Sequence, residues 1–314
     1  MQLVKPSFEI IEQGPGLTGL LRHIERCGRT CYKSEDKITE DSAEKFVNML
    51  VNRGHTAMVE HGTVYLHIHT EYTKEMFDNH IPAPLGDIVA KYTTNKYSDV
   101  NQISNNTKDT TIWDWNKPII IDYYVTTNYR VLLQNDWLDD LKYQCEPTEH
   151  HVKRISIKFT LDRGISHEFV RHRVFSFAQE STRYCNYSKD RFGKECTFII
   201  PSWLDLEEQE IPTKDIPRIC IDGNIFGFDT EITNFLMSLY FSEDYYFGLL
   251  DKGWIAQQAR AVLPNSLKTE LIMTGTTKQW EGFFELRDAN GAHPQARELA
   301  KPLHEEFIRR GFLK

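Results

Sequence analysis

Between Arg154 and Leu161 the chain alternates without a break: Ile155, Ile157, Phe159 and Leu161 are apolar, while Arg154, Ser156, Lys158 and Thr160 are polar. Side chains on a strand point to opposite faces with a period of two, so this segment reads as a β-strand with one face for a core and one for polar surroundings. A helix would scatter the same residues around its circumference. Gly164 marks a turn after the strand, and Ile165–Val170 reads as the start of a short helix leading to Arg171.

The other patterns are mostly helical. Residues 17–31 form one candidate helix, and Ala43, Phe46, Val47, Leu50 and Val51 give a second its apolar face. A last helix fits Ala296, Leu299, Ala300, Leu303, Phe307 and Ile308, a block from Thr230 to Leu250 is helical, and Pro264 interrupts an element that begins at Trp254. Thr63–Ile68 and Ile119–Val125 suit strands, a polar helical or looping segment runs on to Asp78, and Tyr129–Leu141 suits a helix. Lys91–Pro118, rich in Thr, Asn, Lys and Asp, reads as a surface excursion. The expected fold is α+β, a mixed central sheet flanked by helices, with the 314 residues in a single domain.

A formal charge of −8 and a pI near 5.9 argue against a generally basic nucleic-acid-binding protein, yet leave room for a local anion pocket. No segment has the apolar length of a membrane span and no secretory leader is evident, so a cytoplasmic protein is the simpler expectation. Six cysteines without a close CxxC pair suit reduced thiols.

The densest chemistry is Arg171-His172-Arg173, followed by Ser176, Gln179, Glu180, Ser181 and Arg183. Guanidinium forks grip phosphate, hydroxyls hydrogen-bond it, and an amide can read a heterocycle edge. A solvated charged turn explains the same composition, and spacing alone does not choose between them. His55, Glu60 and His61 are plausible metal ligands on residue type alone. His167-Glu168-Phe169-Val170-Arg171-His172 looks like a zinc-peptidase motif but has one residue too many, because an i,i+5 pair does not share a helical face. No metal is expected. No GxGxxG run is present, which weakens a Rossmann oxidoreductase.

Residues 171–184, RHRVFSFAQESTRY, resemble the signature RHR-x-x-S-x(4)-S-x-R of flavin-dependent thymidylate synthases, and His55–His61 is similar to the family's H-x(4)-E-H segment. The resemblance implies an FAD site lined by His55, Glu60, Arg171, His172, Arg173, Ala178, Gln179 and Leu286. It implies a dUMP site formed by Glu168, Gln179, Ser181, Thr182, Arg183, Arg260 and Arg287, with Ser181, Arg260 and Arg287 as the catalytic set. Arg260 in ARAVLP matches an arginine that reaches a neighbouring subunit's nucleotide, and Arg287 in FFELR one beside the uracil ring. Three flavin positions depart from the pattern: Thr276, Lys278 and Gly282 stand where many relatives place Asn, Arg and Asn. Glu168 stands where the family commonly has Gln.

The reaction so implied converts dUMP to dTMP with 5,10-methylenetetrahydrofolate as carbon donor, NADPH as reductant of FAD, and tetrahydrofolate released, in a homotetramer with shared active sites. Its hydride comes from flavin, so no cysteine nucleophile is needed; Cys185 is the nearest to the signature. Residues of about 70–150 form an expansion relative to compact relatives. Tyr123, Tyr124 and Tyr129 within it read as core aromatics.

Overall fold

The computed structural model describes residues 1–80, 85–105, 117–206, 209–210 and 231–313. Its strands are β1 (Gln2–Val4), β2 (Ser7–Ile11), β3 (Thr63–Tyr72), β4 (Asp99–Ser104) and β5 (Ile119–Asn128). They continue with β6 (Arg154–Asp162), β7 (Ser176–Gln179), β8 (Thr197–Ile199), β9 (Gln209–Glu210) and β10 (Lys268–Thr276). The chain forms two compact units, one of residues 1–11, 28–36 and 156–314, the other of residues 12–27 and 37–155.

The first unit carries a four-stranded sheet in the order β2-β6-β10-β7, and the alternating segment is its β6. Strand β2 runs antiparallel to β6, with Ile10 opposite Ile157 and Phe8 opposite Phe159. Ile157, Phe159 and Leu161 are buried as the alternation requires. On the other face Ser156 is also buried, because its hydroxyl meets that of Thr274 at 2.6 Å. An aromatic core covers the apolar face: Phe159 and Phe169 meet edge to face at 5.2 Å, and Phe283 and Trp280 pack beside them. A second sheet, β8-β1-β9, is mixed, with β1 parallel to β8 and antiparallel to β9. The helix Glu231–Asp251 buries Leu236, Leu239 and Tyr246 in the cluster that contains Leu3 and Phe198. Helices packed on these sheets, one of them of mixed strand direction, realise the α+β class.

In the second unit the sheet order is β3-β5-β4, and β3 pairs with β5 over ten residues, from Thr63 opposite Asn128 to Tyr72 opposite Ile119. Leu20, Ile24, Phe46, Val47, Leu50, Val64, Leu66, Ile68 and Val125 make its core. The reading of Lys91–Pro118 as an excursion needs correction: it holds the end of the helix Gly86–Thr94 and the whole of β4, while residues 106–116 lie outside the described residues. β4 is a largely exposed edge strand, so its composition is polar. The expected helix 129–141 is broken too. It stops at Gln134, Asp136 turns left-handed with φ 59°, Trp137 N donates back to Leu132 O at 2.8 Å, and a 3-10 turn follows at Leu138–Tyr143. Tyr123 and Tyr129 pack on the core, but Tyr124 lies on the opposite face of β5, stacked on His67 at 4.8 Å.

Among the described residues no helix is long and apolar enough to cross a membrane, and no group of three or more His, Cys, Asp or Glu is placed to hold a metal ion. Among the described residues Cys27, Cys31, Cys145, Cys185 and Cys196 form no disulfide; Cys220 lies outside the described residues.

Candidate active site

The site in the first unit begins with a helix cap. Asp162 Oδ1 accepts from Ile165 N at 2.8 Å and starts the helix Arg163–Phe169. Gly164 therefore lies inside the first helical turn, where a Cβ would come within 3.0 Å of that cap oxygen. Beyond Phe169 the chain tightens, with Arg171 N donating to Glu168 O and His172 N to Phe169 O. Arg171 and Arg173 emerge exposed, while His172 is half-buried against the Phe283 ring at 5.1 Å.

Arg287 arrives from the last turn of the helix Thr277–Arg287. Its Nη1 donates to Glu168 Oε2 at 2.6 Å, its Nη2 to Glu168 O at 3.0 Å and its Nε to His172 Nε2 at 3.0 Å. A ring nitrogen that accepts from a guanidinium carries no proton, so the neutral His172 holds its proton on Nδ1. Burial first, and the Arg287 charge second, lower the His172 pKa to about 4.

Strand β7 sets the next residues. Phe175 packs under Gly275, where a Cβ would stand 2.5 Å from the Phe175 ring; glycine is required there by close approach. Ala178 is buried in the β7–β10 pairing opposite Ile272. Gln179 Nε2 donates to Ser166 Oγ at 2.9 Å and Thr269 Oγ1 at 3.3 Å. Then the chain turns: Ser181 N donates to Cys31 O at 3.1 Å, and Cys185 N to Ser181 O at 2.9 Å. Arg260, in the 3-10 turn Arg260–Val262, donates from Nη1 to Thr182 Oγ1 at 3.1 Å, so the ARAVLP block meets the signature within one chain. Arg183 is exposed, its guanidinium 5.6 Å from the Tyr184 ring centroid, and Tyr184 meets Tyr32 at 5.4 Å.

Among the described residues Arg171, Arg173 and Arg183 make no ion pair, whereas Arg287 is paired. Exposed guanidinium groups without internal counterions, Arg171 and Arg173 in the turn before β7 and Arg183 in the turn after it, can take anionic ligands. On the helix Thr277–Arg287, Lys278 and Leu286 are exposed, and a Cβ at Gly282 would meet nothing within 4 Å. The spacing 278, 282, 286 puts them on one open face. Thr276 is instead the helix N-cap, its Oγ1 accepting from Gln279 N at 3.3 Å while Gln279 Oε1 accepts from Thr276 N at 2.8 Å. His55 and Glu60 belong to the second unit; His55 is exposed, and the Glu60 carboxylate pairs with Arg130 while its carbonyl accepts from Arg154.

A model of the family of thymidylate synthase complementing proteins matches residues 141–310, more than half of the chain. The chain belongs to this family. Its relatives include flavin-dependent thymidylate synthases of Corynebacterium glutamicum, 31% identical over 140 residues (45% of this chain and 51% of that protein), and of Sulfolobus acidocaldarius, 25% identical over 197 residues (63% and 62%). The chain spans about half the length of the curated relatives it matches. A solved structure, the UMP/dUMP methylase PolB from Streptomyces cacaoi bound with 5-Br dUMP, aligns with 98% of this chain and 93% of its own at 14% identity and a TM-score of 0.40. The family match contains every expected site residue except His55 and Glu60, which precede it.

Sequence reasoning missed one set of residues beside the signature. Lys33, Lys158 and Lys268 converge on Glu270, and Lys268 also reaches Glu180. The signal was available as Lys268 and Glu270 two residues apart, but it speaks only once 268–276 is known to be a strand.

Proposed function

We propose that this family member is an FAD-dependent thymidylate synthase, converting dUMP to dTMP with 5,10-methylenetetrahydrofolate and NAD(P)H and releasing tetrahydrofolate. The observation that carries this reading is the Arg260–Thr182 hydrogen bond, which joins a distant arginine to the Ser181–Arg183 turn, where the resemblance expects the nucleotide phosphate. Ser181, Thr182, Arg183 and Arg260 hold the nucleotide phosphate, and Arg287 stabilises negative charge that develops on the uracil. Gln179 and Glu168 face the base. Arg171, His172, Arg173, Ala178, Thr276, Lys278, Gly282 and Leu286 hold the flavin, and the resemblance adds His55 and Glu60.

The unpaired arginines and the open face at Gly282 fit a bulky dianionic cofactor. Reduced flavin supplies the hydride when bound. The protein's own residues orient the nucleotide against it and exclude water. His172, neutral above about pH 4, donates from Nδ1 without adding charge. No thiol chemistry is needed, and burial supports that: Cys185 is fully buried, and burial pushes the Cys31 thiol to about 11, with Glu35 adding to the shift and the Gln179 backbone N–H opposing it.

Residues 1–314 act as one catalytic domain with an expanded 70–150 segment, in a homotetramer. The resemblance has Arg260 serve a nucleotide held chiefly by another chain. Subunit exchange between inactive Arg183→Ala and Arg260→Ala proteins then restores activity; no recovery after verified exchange assigns Arg260 to its own chain's site, where it touches Thr182.

The test of the reading is purification of a yellow FAD-bearing protein whose reduced flavin, kept free of oxygen, is reoxidised only when dUMP and the folate are both added. A colourless protein that gains no flavin from solution contradicts it. The departures at Glu168 and Lys278 favour a second reading, a member that binds both ligands without turnover. Binding of FAD and dUMP with neither substrate-dependent flavin reoxidation nor dTMP formation would select it.

A further inference from the structure

The face of β7 and β10 opposite Gln179 is charged and buried. Leu271 lies opposite Gln179, so the next pair along is Glu270 with Glu180, whose N donates to Glu270 O at 2.8 Å. Two carboxylates side by side repel unless cations lie between them. Lys268 Nζ does so, 3.0 Å from Glu180 Oε2 and 2.9 Å from Glu270 Oε1. Lys158 of β6 comes within 2.8 Å of Glu270 Oε2, and Lys33 forms a close ion pair with Oε1. Tyr187 donates its hydroxyl to Glu180 Oε1 at 3.3 Å. Glu180 and Glu270 are 3% and 7% exposed; burial by itself raises the Glu270 carboxyl, and the three lysines more than offset it, holding that carboxyl far below its usual range.

Lys33 gives the network its reach. It follows the helix Gly16–Tyr32 in the left-handed conformation, φ 49°, with Ser34 N donating to Arg29 O at 3.1 Å. Two residues before it, Cys31 O accepts from Ser181 N. The Ser181–Arg183 turn is therefore anchored at both ends of one charge network: through Glu180 and Lys268 on the strand side, and through Cys31 and Lys33 on the helix side. Glu270 joins the two.

We propose that Glu270 is a positioning residue for the Ser181–Arg183 turn, acting through Lys33 and Lys268 to hold that turn ready for a nucleotide phosphate. This rests on the reading of the turn as the phosphate site. Its test has a sign. Long-range electrostatics alone would have removal of a negative charge near an anion site tighten binding, whereas loss of positioning weakens it. Full-length FAD-loaded protein is titrated with dUMP by calorimetry as wild type, Glu270→Gln and Lys33→Met. Glu270→Gln is expected to weaken dUMP binding roughly tenfold while FAD retention is unchanged. Both variants are expected to speed hydrogen exchange at the Ser181 amide, and the double variant to be no weaker than the worse single one. The exchange measurement on Lys33→Met stands if Glu270→Gln fails to fold. Unchanged or tighter dUMP binding in folded Glu270→Gln, or unaltered Ser181 exchange in Lys33→Met, overturns the proposal. Absence of dUMP binding by the wild type overturns the phosphate-site reading itself, and this proposal with it.

Discussion

The arginines of the site fall into two kinds. Arg287 has each of its three guanidinium nitrogens on a protein acceptor, two on Glu168 and one on His172, and its side chain is 17% exposed. Arg171, Arg173 and Arg183 are exposed and make no ion pair among the described residues. A guanidinium held from three sides arrives at the reaction already oriented; one that faces water gains its partners from a ligand. Under the proposed function, the difference separates a residue set for turnover from residues set for capture.

The largest effect that tests this contrast is on Arg287. Arg287→Ala should lower kcat roughly 100-fold or more, as loss of a preorganised charge-stabilising donor does, with a smaller change in KM for dUMP. A change in KM alone would place Arg287 among the capture residues. Arg183→Ala should weaken dUMP by roughly 10-fold to 100-fold, the range for charge-assisted hydrogen bonds, and leave FAD affinity nearly unchanged. Equal weakening of both ligands in separate titrations would mean collapse of a common site.

The pairing also predicts a titration. His172 is held neutral, so its folded pKa of about 4 lies below the ordinary 6.5, and its ring should not protonate between pH 8 and 5 in an NMR titration. Because the folded pKa is lowered, this group's contribution to stability is present above pH 6.5 and is lost as pH falls toward 4. Arg287→Met should raise the value only part of the way back, since burial is the larger cause. A His172 that titrates near 6.5 in the wild type would break the Arg287–His172 arrangement. The smallest effect is expected at Cys185: buried and unused, it should accept Ser with full FAD occupancy and dTMP output within about twofold of wild type, as for a residue outside the chemistry. Loss of turnover with folding and ligand affinities intact would demand a thiol step.

The sequence was most legible where one period dominates. The alternation of Arg154–Leu161 and the faces of the helices Ser42–Asn52 and Pro294–Arg309 read directly, except that Ile308, expected on the last helix's apolar face, is exposed. It was least legible where burial is two-sided. β10, at whose positions 269–276 every residue is buried, mixes Thr, Glu and Gly with Leu, Ile and Met and shows no alternation. Missing β10 hid the Glu270 network, whose members come from four separate segments at Lys33, Lys158, Glu180 and Lys268–Glu270. Edge strand β4 was lost for the opposite reason, because exposure removes the apolar signal. At the site, the family resemblance named Arg260 and Thr182, but only the fold shows the hydrogen bond between them.

The central claim is that the new methyl group is completed by a flavin-borne hydride and not by oxidation of the folate. The direct measurement incubates the FAD-loaded protein with dUMP, 5,10-methylenetetrahydrofolate and NADPH and quantifies dTMP together with the folate product. The account predicts dTMP and tetrahydrofolate in equal amounts. Dihydrofolate as the matching product, or no dTMP from a folded, flavin-loaded protein, would contradict it.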